Sequence, residues 1–71
     1  MDNWMEALVD DLVARYYQDL AEYEDPDSAE ARNEAEADAW NVVVKQAPFR
    51  LTRDEEDALY DAFMQRIAEQ E

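Results

Sequence analysis

The sequence contains no glycine, no cysteine and no histidine, and each absence removes a class of structure or chemistry. Without cysteine there are no disulfides, and without cysteine or histidine we do not expect a zinc site. Without glycine there is neither a phosphate-cradling loop nor a dinucleotide-binding fingerprint. Ser28 has no histidine to activate it, and it lies in a helix-capping position. We therefore expect no catalytic residues, no bound metal and no cofactor.

Basic residues are also scarce, at six against twenty acidic ones, so the net charge is −14. A charge of this sign argues against binding to anionic membranes and against direct nucleic-acid binding. The hydrophobic content of 48% nevertheless indicates a folded chain rather than a disordered one. The sequence has no secretory pattern and no apolar run near the roughly 20 residues that span a bilayer. We expect a soluble, cytoplasmic protein.

Helix-forming residues dominate, and the two prolines divide the chain into three similar parts. Apolar residues recur at helical spacing in each part, which predicts helices at about 3–24, 26–47 and 53–69. Val42–Val44 has the propensity of a short strand, but a lone strand lacks a partner, so we favour a helix there. The fold class predicted for residues 1–71 is all-α, a single small three-helix bundle with short connectors.

The predicted core follows from the same spacing. In the first helix the apolar stripe is Met5, Leu8, Val9, Leu12, Tyr16, Leu20 and Tyr23, widened by Trp4, Val13 and Tyr17. In the second helix it is Ala31, Ala35, Ala39, Val42 and Val43, anchored by Trp40 and Val44. In the third helix it is Leu59, Tyr60, Phe63, Met64 and Ile67. We expect Trp4, Trp40 and Phe49 to lie in the core.

Capping signals mark the helix starts. Asp2 or Asn3 is the predicted N-cap of the first helix. The second helix is predicted to start with Asp25 as N-cap and Pro26 at the first helical position, or with a cap formed by Asp27 and Glu30. Thr52–Glu55 fits a capping box, in which Glu55 bonds back to the cap's own N–H.

The acidic residues form a pattern rather than a tail. On the second helix Glu30, Glu34 and Asp38 share one exposed face at four-residue steps, and on the third Asp54, Asp57 and Asp61 share one at steps of three and four. The candidate partner-binding residues are Asp10, Asp11, Glu22, Glu24, Asp25, Asp27, Glu30, Glu34, Asp38, Asp54, Asp57 and Asp61. Which ridge makes the contact stays open, and so does the simpler interpretation of a solvated face that keeps the protein soluble.

Three further charge features accompany this pattern. The segment from Glu24 to Glu30 resembles a calcium loop only superficially, because the glycine at the sixth position is missing, so we expect capping and solvation there. Lys45, Arg50 and Arg53 cluster near the second connector, and we expect Arg50 and Arg53 to pair with nearby acids rather than to form a second binding site. We expect Lys45 and Asn41 to relieve the acidic face of the second helix. Asp19 projects into the apolar arc, where it flanks the core or pairs with an arginine.

Short length, extreme acidity, helical pattern and missing catalytic residue types together resemble the DNA-mimic inhibitors of bacteriophages and mobile elements. That group includes anti-restriction proteins, uracil-DNA glycosylase inhibitors and small acidic anti-CRISPR proteins. The resemblance covers the whole chain and carries no positional motif. It implies a non-catalytic inhibitor in the bacterial host cell that blocks a basic DNA-binding surface. A type I CRISPR surveillance complex (Cascade) is the favoured target.

Two other hypotheses remain at the level of sequence. One is an acidic protein–protein interaction module, such as an antitoxin, adaptor or regulatory subunit, that docks through the apolar face of the first helix. The other is a homodimeric bundle that buries Trp4, Tyr17 and Tyr60 between protomers. The sequence leaves monomer and homodimer both open.

Overall fold

The computed structural model describes residues 3–45 and 50–70, without the side chain of Asn3. Within these residues the chain forms three α-helices and no strand. The helices are α1 (Asn3–Leu20), α2 (Ala29–Trp40) and α3 (Arg53–Gln70), and α2 continues directly into a π-helical segment, Asn41–Lys45. The predicted all-α, three-helix architecture is confirmed. Three predictions fall outside the described part of the chain. They are the N-cap at Asp2 or Asn3, the end of the second helix at residues 46–47, and the placement of Phe49.

The end of α1 lies at Leu20, four residues before the predicted end at residue 24. The chain tightens there through i→i+3 hydrogen bonds, from Glu22 N–H to Asp19 O at 3.1 Å and from Tyr23 N–H to Leu20 O at 3.2 Å. The last turn of α1 carries no basic residue. Acidic residues follow it, although the negative end of the helix dipole disfavours them. Pro26 also restricts the residue before it to extended conformations.

The start of α2 lies at Ala29, and the predicted starts at Pro26 and at an Asp27–Glu30 cap are both wrong. Ser28 is the N-cap, because its Oγ accepts a hydrogen bond from the N–H of Ala31 at 3.2 Å. Pro26 instead belongs to a turn in which Ser28 N–H bonds to Asp25 O at 3.1 Å. Proline favours the second position of such a turn because its φ is fixed near −65°.

The π-helical segment changes which valine is buried. A regular helix would place Val42 and Val43 below Ala39, as predicted, but both are only half-buried. Val44, a predicted anchor of the core, is buried, which confirms that part of the prediction. It lies five residues after the buried Ala39, and five residues is the hydrogen-bond spacing of a π turn. The three consecutive β-branched side chains crowd an α-helical turn, which favours this wider geometry.

The start of α3 agrees with its predicted capping box. The N–H of Thr52 donates to Glu55 Oε1 at 2.8 Å, and the N–H of Glu55 donates to Thr52 Oγ1 at 3.1 Å. Two N–H groups that the helix leaves unbonded are thereby satisfied. The predicted end at residue 69 agrees with the observed end at Gln70 within the usual margin.

The three helices are not equivalent, because α1 packs against both others. Among the described residues, no Cα atom of α2 or the π-helical segment lies within 8 Å of one in α3. The core lies between α1 and the two helices that pack against it. Its most completely buried side chains are Tyr16, Phe63, Leu12, Leu59 and Val9. Tyr16 and Phe63 meet edge to face, with ring centroids 6.0 Å apart. The gap between α2 and α3 is bridged by side chains.

Several predicted core aromatics are on the surface. Trp4 and Tyr23 are each 36% exposed and Tyr60 is 44% exposed, so their placement in the core is wrong. Trp40 packs against the core, as predicted. Tyr60 lies outside the core because α3 does not close onto α2.

None of the helices in the described ranges is both long and apolar enough to cross a membrane.

Candidate functional site

A groove runs between the C-terminal half of α1, the α1–α2 connector and α2. It consists of two adjoining clefts of about 570 and 340 Å³, which share Tyr23 and Glu34 in their walls. We call it the acidic groove. Its carboxylates are Asp19, Glu22, Glu24, Asp25, Glu30, Glu34 and Asp38. Among the described residues of its walls, Arg15 is the only base.

The packing of α2 on α1 creates this groove. Ala31, Ala35 and Ala39 are buried at the helix interface, and their small side chains let the two backbones approach closely. Polar contacts join Arg15 to Asp38 near the end of α2 and Tyr23 to Glu34 in its middle, so the helices run antiparallel. The acids of α2 therefore face the acids that end α1.

A shared arginine joins the two helices at one end of the groove. Arg15 Nε donates to Asp19 Oδ2 at 3.2 Å and to Asp38 Oδ2 at 3.3 Å. Loss of hydration raises the pKa of Asp19, and the hydrogen bond and charge of Asp38 raise it further, against the opposing effect of Arg15. The hydrogen bond with Asp19 lowers the pKa of Asp38, and Arg15 lowers it as well. The two carboxyl groups therefore differ in acidity, and Asp38 ionises at a lower pH than Asp19.

Tyr23 occupies the middle of the groove. Its hydroxyl donates to Glu34 Oε2 at 2.9 Å. This hydrogen bond to a carboxylate, followed by loss of hydration, raises the pKa of Tyr23. The phenol therefore stays protonated and fixes the Glu34 carboxylate, whose other oxygen is open to a partner.

The remaining four groove carboxylates have no partner among the described residues. Glu22, Glu24, Asp25 and Glu30 have exposed side chains, and within residues 3–45 and 50–70 none of their carboxylates forms an ion pair or a hydrogen bond. Exposed carboxylates that are not paired within the chain keep their full capacity to accept hydrogen bonds from a basic partner.

The other predicted binding residues lie outside the groove. Asp27 is 94% exposed and pairs only loosely with Arg32, at 4.0 Å. Asp10 pairs with Arg66 of α3 at 2.8 Å, and Asp11 is exposed on α1. The ridge on α3, which consists of Asp54, Asp57 and Asp61, is exposed, and none of its residues lines the groove. The structure thus brings together the predicted acids from Glu22 to Asp38, except Asp27, and separates the rest.

Two predictions about charge pairing are wrong. Arg15, and not Lys45 or Asn41, relieves the acidic face of α2, because the antiparallel packing brings α1 to Asp38. Lys45 pairs with Glu56 of α3 at 3.7 Å instead.

The neighbouring bases also differ from expectation. Within the described residues, the exposed Arg50 and Arg53 have no acidic partner. The pairing of Asp19 with an arginine, one of the two alternatives proposed for it, is confirmed.

Sequence reasoning did not place Arg15, Asp19 or Tyr23 in the binding site. The i, i+4 spacing of Arg15 and Asp19 was a usable signal, because an acid inside an apolar arc requires a partner. Tyr23 was assigned to the core because it continues the apolar stripe, and only the early end of α1 releases it to the surface.

The chemistry of the groove suits cationic side chains. In the part of the chain that the structure describes, no group of three or more acids is arranged to hold a metal ion. Carboxylates spaced along a groove instead match arginine and lysine, and arginine can bind a carboxylate through two parallel hydrogen bonds. No protein-family model, curated protein or solved structure matches this chain. A functional proposal therefore rests on the groove itself.

Proposed function

We propose that this chain is a non-catalytic inhibitor that binds, through its acidic groove, the basic nucleic-acid-binding surface of another protein. One observation carries the proposal: the end of α1, the connector and α2 contribute carboxylates to a single groove, and most of these carboxylates have no partner within residues 3–45 and 50–70. Nucleic acid and inhibitor would then compete for the same arginines and lysines.

The spacing of the groove acids supports mimicry of a phosphate backbone. Residues four apart on a helix are separated by about 6 Å along its axis, so Glu30 and Glu34 present charges at intervals comparable to phosphates along a strand. Like charges at this spacing destabilise a helix by about 0.2–0.5 kcal/mol per pair. Retaining them despite this penalty is consistent with a use for the field they create, which also attracts a basic partner at long range.

For the target, we propose a type I CRISPR surveillance complex, at the surface where it reads the protospacer-adjacent motif. The support is the resemblance in size, acidity and helical character to small anti-CRISPR proteins. A basic channel that binds duplex DNA supplies the arginine and lysine side chains that the groove would accept.

Docking through an apolar helix face has less support. The residues of α1 that would supply it, Leu8, Val9 and Leu12 among them, are buried within the chain's own core. Tyr17 is half-buried and packs edge to face against Tyr16, with ring centroids 5.0 Å apart, so a dimer interface there has little left to bury. The large apolar side chains that remain exposed are Trp4, Tyr23 and Tyr60, each between 36% and 44% exposed.

Capture from a bacterial lysate followed by DNA competition tests the proposal. The chain is immobilised, retained proteins are challenged with duplex DNA, and a purified type I surveillance complex is assayed in parallel. We expect nucleic-acid-binding proteins to be retained, and to be released by duplex DNA and by raising the salt from 50 to 200 mM. Retained proteins that resist both DNA and salt would contradict the proposal.

A further inference from the structure

Another cleft, separate from the two that form the acidic groove, lies on the other side of α2, where α2 and α3 diverge. It has a volume of about 320 Å³. Its lining residues are Asn33, Glu36, Ala37, Trp40, Asn41 and Tyr60. Glu34 and Asp38 point from α2 towards α1, whereas Glu36 and Trp40 approach Tyr60 of α3. This cleft is therefore separate from the acidic groove.

Two aromatic rings form its walls. The Trp40 and Tyr60 centroids are 5.6 Å apart, and their planes meet at 72°. Tyr60 is 44% exposed and Trp40 is half-buried, so the corner between the rings is open to solvent. We call this pair the aromatic corner.

The carboxylate of Glu36 lies next to the aromatic corner. Tyr60 hydroxyl donates to Glu36 Oε1 across 3.4 Å, a long hydrogen bond that leaves Glu36 able to accept stronger ones. Loss of hydration raises the pKa of Tyr60, and the charge of Glu36 and this hydrogen bond raise it further. The ring therefore remains a neutral phenol, with an electron-rich face, at physiological pH.

We propose that the aromatic corner binds an arginine side chain of the partner protein. A guanidinium stacks on aromatic faces through cation–π attraction, and its N–H fork matches a carboxylate. Glu36 supplies that carboxylate, and Asn33 and Asn41 add amide oxygens that accept N–H bonds. The inference rests on the proposed function, because it identifies a side chain of the same basic partner.

The test titrates the chain with N-acetyl-arginine amide and follows the ring signals by NMR. The control ligand is the matching citrulline amide, which is uncharged, with sodium chloride added to equal ionic strength. We expect the Trp40 indole and Tyr60 ring signals to shift with the arginine compound only, and the Trp4 indole signal to stay in place. Tyr60→Ala should weaken this binding by about two- to fivefold, the equivalent of a cation–π contact of ~0.5–1 kcal/mol at an exposed site.

Two further variants separate the site from general charge attraction. Tyr60→Phe retains the ring and should retain binding, whereas Glu36→Gln should weaken it. Equal shifts with citrulline, equal shifts at Trp4, or a Tyr60→Ala variant that binds like the wild type would each overturn the proposal. If the wild type and Tyr60→Ala retain the same DNA-displaceable partner with equal affinity, the arginine site is refuted and the proposed function stands. If the corner binds arginine but the chain retains no nucleic-acid-binding protein, the proposed function fails instead.

Discussion

Asp19 of α1 and Asp38 of α2 meet across the helix interface on the two sides of one Arg15 Nε, at 3.2 and 3.3 Å. Asp19 is the more buried of the two, with its side chain 14% exposed against 48% for Asp38. Burial raises the pKa of Asp19, and its hydrogen bond to Asp38 lowers the pKa of the latter. One end of the acidic groove therefore responds to pH.

The first prediction concerns Asp19→Asn. With a raised pKa, native Asp19 holds its proton more tightly than the unfolded chain does, so its contribution to stability falls as the pH rises above the ordinary value of 3.8. The raised pKa already includes the opposing effect of Arg15, so at pH 7 the charged form is less favourable in the folded protein than in the unfolded chain, and the neutral amide removes that charge. We expect Asp19→Asn to raise the free energy of unfolding at pH 7 and to flatten its decline between pH 4 and 7.

Urea unfolding at a series of pH values measures this effect. Asp11→Asn removes the same charge from an exposed position of the same helix and is the matched control. A destabilised Asp19→Asn variant at pH 7, or one whose pH profile equals that of Asp11→Asn, would show that the buried carboxyl does not behave as described.

The second prediction concerns salt. The net charge of −14 opposes folding, and salt screens it over a Debye length that shortens from ~30 Å at 0.01 M to ~3 Å at 1 M. Relieving the i, i+4 pairs Glu30–Glu34, Glu34–Asp38 and Asp57–Asp61 amounts to about 1 kcal/mol. We expect Tm to rise by about 4–8 °C between these salt concentrations.

Thermal unfolding followed by circular dichroism checks this. Glu34 belongs to two of the pairs, so we expect the Tm of the Glu34→Gln variant to rise less with salt than the Tm of the Asp11→Asn variant. A Tm that stays the same or falls with added salt would contradict the prediction that repulsion among the acidic residues destabilises the fold.

The third prediction concerns the capping box of α3. Thr52→Ala leaves the N–H of Glu55 without its acceptor, and we expect a loss of about 1 kcal/mol and ~4–8 °C in Tm. Thr52→Ser keeps the hydroxyl and should differ little from the wild type. Equal Tm values for the alanine and serine variants would mean that the hydroxyl contributes nothing.

How much of the fold could be predicted depended on how local each signal was. The start of α3 is set by Thr52 and Glu55, three residues apart, and could be predicted. The N-cap of α2 could not be chosen among Asp25, Asp27 and Ser28, because each is a good capping residue and the choice depends on the turn at Pro26. The π-helical segment could not be predicted, because its result, the incomplete burial of Val42 and Val43, depends on packing against α1.

The candidate site was predicted in composition but not in shape. The acids from Glu22 to Asp38 stood out by charge and spacing. These acids assemble into one groove because α2 packs on one face of α1. The ridge on α3 is separate from the groove because α3 packs on another face of α1. Arg15 shows the difference: its partner Asp38 is distant in sequence, so no local pattern could reveal the pair.

The central claim is that the acidic groove, and not the overall charge, binds the partner. The most direct measurement compares two triple variants for affinity to the captured, DNA-displaceable protein at fixed salt. One is Glu22→Gln, Glu24→Gln and Glu30→Gln in the groove; the other is Asp54→Asn, Asp57→Asn and Asp61→Asn on α3. Each removes three negative charges from exposed positions. We predict that the groove variant binds about tenfold more weakly, as expected when several exposed ion pairs are lost, and that the α3 variant stays within about twofold of the wild type. Equal losses in the two variants would contradict the account.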